Sequence, residues 1–320
     1  MGIKTQTDTT SAVSPVAAGQ AGAAKPALPF RVTRLDVALV LVMVIWGANF
    51  VVLKTALEAL PPFVFNALRY CLASAVLGVV FKANGATLRL PRAHWLPLIG
   101  ISVLNALFQI FFTYGLRGTT VANNALIITS VPVWVVIFNA IRSQERLSRP
   151  ALTGVFLALA GVIIVVVSRY AGQLSFGAAT LLGDGLSLLA SWTWAINLLA
   201  SRQPLQRAPI LPATFWLTVW TAFWLSLLAV PDLLRMDWST LTPRLLLAMC
   251  YSGILSTGLG SIIFNQGIKT LGTARTAVYT YLEPLVAAAT AILFLGEPFT
   301  AALVIGAVMV ILGLILVKKV

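Results

Sequence analysis

Ionisable side chains are scarce in this sequence, and the shortage excludes several classes of protein. Charged residues make up 10% of the 320 positions, with nine Asp and Glu and one histidine, His94, whereas about 25% is usual in soluble domains. The single histidine lies at a predicted helix start, where it is more typical of a surface group than of a catalytic acid or base, and no P-loop motif occurs. The two cysteines, Cys71 and Cys250, indicate neither a disulfide framework nor a zinc site. The sequence therefore predicts no enzyme, no cofactor and no metal site.

Long apolar runs are abundant instead. Hydrophobic residues account for 59% of the chain, above the roughly 45–50% of soluble domains. About 20 apolar residues cross the hydrocarbon core as a helix, and runs of that length are too long for barrel strands. We therefore predict an all-α, polytopic membrane protein with ten transmembrane helices. The predicted spans are 35–57, 62–82, 95–115, 120–141, 150–168, 180–200, 211–230, 245–267, 273–295 and 299–317.

The second half of the chain repeats the first. Seven residues of the first half recur at an offset of either 152 or 148 positions, with a four-residue difference that we assign to a loop. The pairs at 152 are Pro132–Pro284, Glu145–Glu297, Gly154–Gly306 and Gly161–Gly313, and those at 148 are Asp36–Asp184, Trp46–Trp194 and Asn49–Asn197. Five spans per copy is an odd number, so the second copy enters the membrane from the opposite side. We predict two inverted five-helix repeats, 35–168 and 180–318.

The distribution of positive charge predicts the orientation. Of the 22 Lys and Arg, sixteen fall on the face that holds the N-terminus, five on the other face, and Arg69 within a span. Cytoplasmic loops hold the excess of Lys and Arg, which predicts a multi-pass inner-membrane protein with both termini cytoplasmic. The net charge of +13 is spread over short loops, so we expect no nucleic-acid partner. Residues 1–34 are poor in large apolar side chains, which predicts a disordered cytoplasmic tail.

Two charges fall inside predicted spans, where they are costly and often functional. Arg69 either reaches the interface, caps neighbouring carbonyl groups, or pairs with Glu283. Glu283 lies near the midplane, directly before Pro284, and the equivalent pair in the first copy is Val131 and Pro132. Both prolines predict helix kinks, but only one copy has the carboxylate. Glu283 is therefore a candidate for transport, with a structural ion pair to Arg69 as the alternative.

Other polar and aromatic residues within the spans complete the candidate substrate site. The amides can supply hydrogen bonds, the rings can hold cations or apolar groups, and some of the polar groups serve only to join helices. Tyr279 lies four positions before Glu283 and is expected on the same helix face. The candidates are Trp46, Asn49, Asn105, Gln109, Trp194, Asn197, Asn265, Tyr279 and Tyr281.

Several of these features together resemble the EamA domains of the drug/metabolite transporter (DMT) superfamily. They are Trp-Gly-Ala-Asn-Phe at 46–50, Arg69-Tyr70, and the two segments 132–145 and 283–297, the second of which begins Glu-Pro and ends Gly-Glu. The resemblance covers about 35–318 as two tandem copies. The first copy has Gln144-Glu145 where the family usually has Gly-Glu.

The resemblance implies a transporter with a central cavity between its halves, and similar bacterial proteins export amino acids or related metabolites. We expect a secondary transporter that exports amino acids or related small amphipathic metabolites by alternating access. Sugars, sugar conjugates or lipid-linked head groups are the alternative substrates, and a membrane sensor or assembly partner is the alternative to transport. Proton coupling stays open, because one buried carboxylate permits proton antiport while facilitated diffusion needs none. Oligomeric state also stays open.

Overall fold

A computed structural model describes residue 2 and residues 32–142, 148–170, 172, 174–295 and 300–318. Throughout these ranges the regular elements are helices, without strands. The α-helices are α1 Arg34–Ala59, α2 Pro62–Ala83, α3 Trp95–Gly118, α4 Val121–Ile128, α5 Val131–Arg142, α6 Arg149–Tyr170, α7 Leu181–Arg207, α8 Ile210–Arg235, α9 Pro243–Cys250, α10 Gly260–Leu271, α11 Thr273–Val278, α12 Leu282–Leu295 and α13 Ala301–Lys318. A π-helix, Tyr251–Leu259, joins α9 to α10, and the 3-10 turns are Arg92–His94, Trp238–Thr240 and Tyr279–Tyr281.

Each predicted span coincides with helix, and the all-helical membrane class is confirmed. Seven helices in the described ranges are long and apolar enough to cross a membrane, while the total of ten stays a prediction. Three predicted spans are not among the seven. Helix α7 is more polar, the span 273–295 is divided by a 3-10 turn, and the apolar part of the last span, Ala301–Val317, is shorter.

Equivalent helices of the two halves pack against each other in opposite directions. In the contact between α6 and α13, Gly154 faces Gly313 and Gly161 faces Gly306. A Cβ atom added at Gly161 would lie 2.6 Å from the Gly306 carbonyl oxygen, so the two backbones touch directly. The later glycine of α6 faces the earlier glycine of α13, so these two helices are antiparallel. The four glycines therefore pack within one chain.

The starts of α1 and α7 are held by equivalent aspartates. Asp36 accepts a hydrogen bond from the Tyr279 hydroxyl, 2.5 Å away, and also closes a capping box at the start of α1. Asp184 accepts from the Thr119 hydroxyl at 2.5 Å and from Asn123 Nδ2 at 3.0 Å. Each aspartate thus fastens the first helix of one half to the fourth predicted span of the other half.

The four-residue difference between the halves is helical, so its assignment to a loop was wrong. Helices α2 and α8 begin 148 positions apart and end 152 positions apart, with 22 and 26 residues respectively. Four residues are close to one helical turn and add about 6 Å of length. An insertion of this size is tolerated because it leaves the faces of the helix almost in register.

The largest apolar cluster lies around the centre of the bundle. It joins α1, α3, α5, α7, α8, α10 and α11 and includes Leu39, Met43, Leu98, Leu198 and Phe264.

Two features predicted from the sequence lie outside the described residues. They are the cytoplasmic tail, apart from residues 2 and 32–34, and the motif ends at 144–145 and 296–297.

Candidate functional site

Three interruptions of regular α-helix lie at the centre of the bundle. A turn at residues 129–130 separates α4 from α5 just before Pro132, and a 3-10 turn separates α11 from α12 just before Pro284. The π-helix is the third. Non-helical backbone at membrane depth is tolerated where it is buried in protein or lines a cavity. Threonine hydroxyls bind carbonyl groups at each break: Thr129 to Leu126 at 2.6 Å, Thr257 to Ser252 at 2.9 Å and Thr280 to Ala277 at 2.7 Å.

A central cavity of about 230 Å³ opens beside these breaks. Helices α1 to α8, the π-helix, α10 and α12 all contribute to its wall. Eight of the ten candidate substrate residues line it, together with the intramembrane Arg69 and Pro284 of the second kink. The eight are Trp46, Asn49, Asn105, Gln109, Trp194, Asn197, Asn265 and Glu283. Residues far apart in the sequence therefore meet at one place.

Six aromatic rings in the cavity form a continuous series, which we call the aromatic wall: Trp46, Phe264, Trp194, Phe108, Phe112 and Phe50. Their successive ring centroids lie 4.9, 6.1, 4.7, 5.6 and 5.8 Å apart. The series begins and ends on α1, and passes through α10, α7 and α3. Such a surface can bind an apolar group on ring faces and edges, and it can attract a cation.

The amide side chains in the cavity are oriented by their neighbours. Asn197 Nδ2 donates to the Ile101 carbonyl at 3.0 Å, and Asn265 Nδ2 donates to the Thr214 hydroxyl at 3.1 Å. Asn49 Oδ1 is buried without a hydrogen-bond partner. One hydrogen bond from each amide nitrogen fixes the side chains of Asn197 and Asn265, and their oxygens, which accept no hydrogen bond among the described residues, can act as acceptors.

Glu283 stands in the first turn of α12, where the helix dipole favours a carboxylate. Close packing fixes its position, since a Cβ atom added at Gly47 would lie 2.8 Å from the Glu283 carbonyl oxygen. Among the described residues its carboxylate forms no hydrogen bond and no ion pair, and the structural pair with Arg69 is not formed. Its side chain is therefore free to interact with a molecule in the cavity.

Arg69 lines the same cavity with only 5% of its surface exposed. Its Nη1 donates to the Ser252 hydroxyl at 3.3 Å and its Nη2 to Gln109 Oε1 at 2.5 Å. The guanidinium also lies 5.6 and 5.3 Å from the ring centroids of Phe65 and Tyr70. Arg69 is held inside the bundle and does not reach the interface, although the sequence left that possibility open.

The family follows from comparison of the whole sequence. A family model for EamA-like transporters matches residues 33–167 and 181–318, which is most of the chain. The chain belongs to the EamA-like transporter family. The resemblance to the DMT superfamily is thereby confirmed, and the family and its relatives are transporters and not enzymes. Within the described residues, no cluster of three or more His, Cys, Asp or Glu could hold a metal.

Curated relatives of this EamA-like transporter carry names that concern amino acids. Proteins from Salmonella typhimurium and Escherichia coli, each named a probable amino-acid metabolite efflux pump, are 29% and 28% identical to it. Both alignments cover 86% of this chain and 91% of the relative. A Streptantibioticus cattleyicolor protein, named a probable terminal-alkyne amino-acid exporter, is 24% identical over 88% of this chain and 92% of its own length.

A solved crystal structure shares the fold. It superposes with a TM-score of 0.73 over 87% of this chain and 94% of its own, at 22% sequence identity. At that identity the match concerns the fold alone. The helical arrangement of this EamA-like transporter is therefore one that a crystal structure also shows.

Tyr279 and Tyr281 are the two candidates that do not line the cavity. Tyr279 binds Asp36, and Tyr281 is buried in the apolar cluster between α6 and α13, with its hydroxyl unpartnered. Both belong to the 3-10 turn, which rotates about 120° per residue where an α-helix rotates about 100°. Thr280 faces the cavity instead, on the same side as Glu283 and Ala287.

The sequence did not single out three members of the aromatic wall. Phe108, Phe112 and Phe264 lie in strongly apolar segments, where an aromatic residue usually means core packing. One signal was available. Phe108 and Phe112 share a helix face with each other and adjoin Asn105 and Gln109, and this mixture of amides and rings is typical of a binding pocket.

Proposed function

We propose that this EamA-like transporter is an inner-membrane secondary transporter that exports amino acids or related small amphipathic metabolites. The observation that carries the proposal is the presence, in one central cavity, of the aromatic wall and the unpaired carboxylate of Glu283. Glu283 would hold the substrate ammonium, and the rings would bind its apolar side chain. The names of the relatives support the same substrate class.

We further propose alternating access by ten transmembrane helices in two inverted five-helix repeats, 35–168 and 180–318, with both termini cytoplasmic. The antiparallel contact between α6 and α13 supports the inversion. Helices α2 and α8 support it too, because Cys71 Sγ lies 3.5 Å from Ser226 Oγ and Gly78 packs on Phe215. In inverted-repeat transporters the substrate site lies near the midplane between the repeats, which is where we place this cavity.

The decisive test is counterflow in proteoliposomes that contain the purified protein. Vesicles preloaded with one unlabelled compound are given the same compound in labelled form, over a panel of amino acids, nucleosides and sugars. We expect transient accumulation of labelled amino acids with apolar side chains and none of sugars or nucleosides. Repeating the assay with an imposed pH gradient measures proton coupling, in which Glu283 would exchange a proton when substrate leaves.

The other functions predict different results in this assay. Accumulation of sugars alone, or competition by lipid-linked sugars but not by amino acids, would favour the sugar and head-group class. A flat result across the panel, from protein that is folded by circular dichroism, would contradict export and favour a sensor or assembly partner.

Removal of a ring from the aromatic wall should change substrate preference. For Trp194→Ala we expect about tenfold weaker apparent affinity for phenylalanine, because a stacking partner and its buried area are lost. The affinity for alanine, with its small side chain, should change little. Counterflow rates over a range of concentrations measure both.

The matched control for this substitution is Trp238→Ala. Trp238 lies in a 3-10 turn outside the cavity and is 51% exposed, so its loss should leave both affinities unchanged. An equal loss of affinity for phenylalanine and alanine in Trp194→Ala would contradict the assignment of this ring to side-chain binding.

A further inference from the structure

Arg69 is a buried cation whose protein partners are neutral. Its two hydrogen bonds go to the Ser252 hydroxyl and the Gln109 amide oxygen. A guanidinium has five N–H donors, so three have no acceptor among the described residues, and Nε is buried without a partner. The aromatic faces of Phe65 and Tyr70 offset part of the cost of burying the charge. No anion in the described protein neutralises it.

The acidic residues of the described ranges do not supply that anion. Asp36 is bound by Tyr279 and Asp184 by Thr119 and Asn123, at the starts of α1 and α7. Glu283 is the acidic residue that lines the cavity, and it forms no ion pair with Arg69. The guanidinium of Arg69 and the carboxyl group of Glu283 therefore line the same cavity without pairing with each other.

Tyr70 provides a second donor beside Arg69. Its hydroxyl oxygen accepts hydrogen bonds from Asn105 Nδ2 at 3.2 Å and from Gln109 Nε2 at 2.9 Å. Two accepted bonds occupy both lone pairs of a hydroxyl, so its own proton remains to be donated. Tyr70 and Arg69 both line the cavity. Gln109 binds both of them, which fixes the guanidinium relative to the hydroxyl.

A buried charge without a counter-charge is strongly unfavourable, and the cavity leaves room for a ligand to supply one. We propose that Arg69 and Tyr70 form an anion subsite that takes the carboxylate of the transported molecule. This inference rests on the proposed export function and narrows it. The substrate is a zwitterion, with its ammonium at Glu283, its carboxylate at Arg69 and an apolar side chain against the aromatic wall.

The test compares phenylalanine with two derivatives, each of which lacks one of its two charged groups. L-Phenylalanine, L-phenylalaninamide and N-acetyl-L-phenylalanine are used as inhibitors of labelled phenylalanine counterflow by the full chain. The amide lacks the carboxylate, and the acetyl derivative lacks the ammonium. In the wild type we expect phenylalanine to inhibit at least about tenfold more strongly than the amide, since only the acid can form charge-assisted hydrogen bonds with Arg69.

Substitution then assigns the discrimination to one residue. In Arg69→Gln the acid and the amide should inhibit about equally, while phenylalanine should still inhibit more strongly than its acetyl derivative. Arg69→Lys should keep part of the preference, because it keeps a cation. Arg117→Gln, at an exposed position near the end of α3, should behave as the wild type. The ratio of inhibition by the acid to inhibition by the amide is measured on the wild type, so it tests the proposal even if Arg69→Gln does not fold.

The results that would contradict the anion subsite differ from those that would contradict the export function. Equal inhibition by the acid and the amide in the wild type would overturn the anion subsite, as would an Arg69→Gln variant with an unchanged ratio. If the wild type exchanges other amino acids but not phenylalanine, the acid, amide and acetyl forms of an exchanged amino acid are compared instead, and equal inhibition by that acid and its amide would overturn the subsite while leaving the export function standing. Absence of exchange for every amino acid would instead contradict the proposed function itself.

Discussion

Replacement of Glu283 by glutamine is expected to lower amino-acid counterflow by about 10- to 100-fold, the largest effect of any single substitution in the cavity. Glutamine keeps the size and hydrogen-bonding capacity of the side chain but removes the charge. The loss of a charge-assisted bond to a substrate ammonium amounts to about 1.5–3 kcal/mol. The carboxylate has no partner among the described residues, so the substitution should not disturb a structural ion pair.

The control for this prediction is Glu58→Gln, which removes the same charge at an exposed position near the end of α1. Its transport rate should equal that of the wild type. If Glu283→Gln transported amino acids at the wild-type rate, with the same dependence on pH, the carboxylate would have no central role. Thermal unfolding in detergent, measured on both variants, separates loss of function from loss of folding.

A methyl group added at Gly161 is expected to destabilise the protein by about 1–3 kcal/mol, the usual cost of overpacking. The Cβ atom of Gly161→Ala would lie 2.6 Å from the Gly306 carbonyl oxygen and 2.8 Å from Met309 Cβ. A backbone oxygen cannot rotate away, so α6 and α13 must separate. Gly161→Val should have a larger effect, because it adds two further methyl groups to the same contact.

Gly100→Ala is the matched control for the glycine contact. Gly100 also lies in a helix, α3, but a Cβ atom there would meet nothing within 4 Å. Its stability should stay the same or rise by up to about 1 kcal/mol, since alanine is the better helix former. Equal melting temperatures in detergent for Gly161→Ala and Gly100→Ala would contradict direct packing of the two backbones.

The fold was predictable from the sequence because the membrane leaves few choices. Apolar runs of about 20 residues in lipid can only be helices once closed barrels are excluded, and Gly154, Gly161, Gly306 and Gly313 recur at one spacing. The π-helix was not predictable, because apolar periodicity does not distinguish a π-turn from ordinary α-helix within a continuous apolar span. The extra turn of α8 was also not predictable, because the change of offset between the repeats shows that four residues are added but does not show at which position.

The cavity was predicted in part. Polar groups such as Asn49, Asn105 and Glu283 stand out within apolar spans because burial of each needs an explanation. Phe108 and Phe264 are apolar residues in apolar spans, so their burial alone does not single them out. Tyr279 was assigned to the cavity from ordinary helical spacing, and the 3-10 turn before Pro284 changed its direction. Side-chain direction depends on the local helix type, which the sequence pattern did not reveal.

The unequal lengths of α2 and α8 have a consequence for the transport cycle. A duplicated transporter with identical halves would present the same surface to substrate on either side of the membrane, once its two end states are exchanged. Here the second half carries one turn more than the first, together with a π-helix that the described part of the first half lacks. In the proposed alternating-access cycle the inward and outward openings would therefore be built from different surfaces, and selection could adjust capture on one side independently of release on the other.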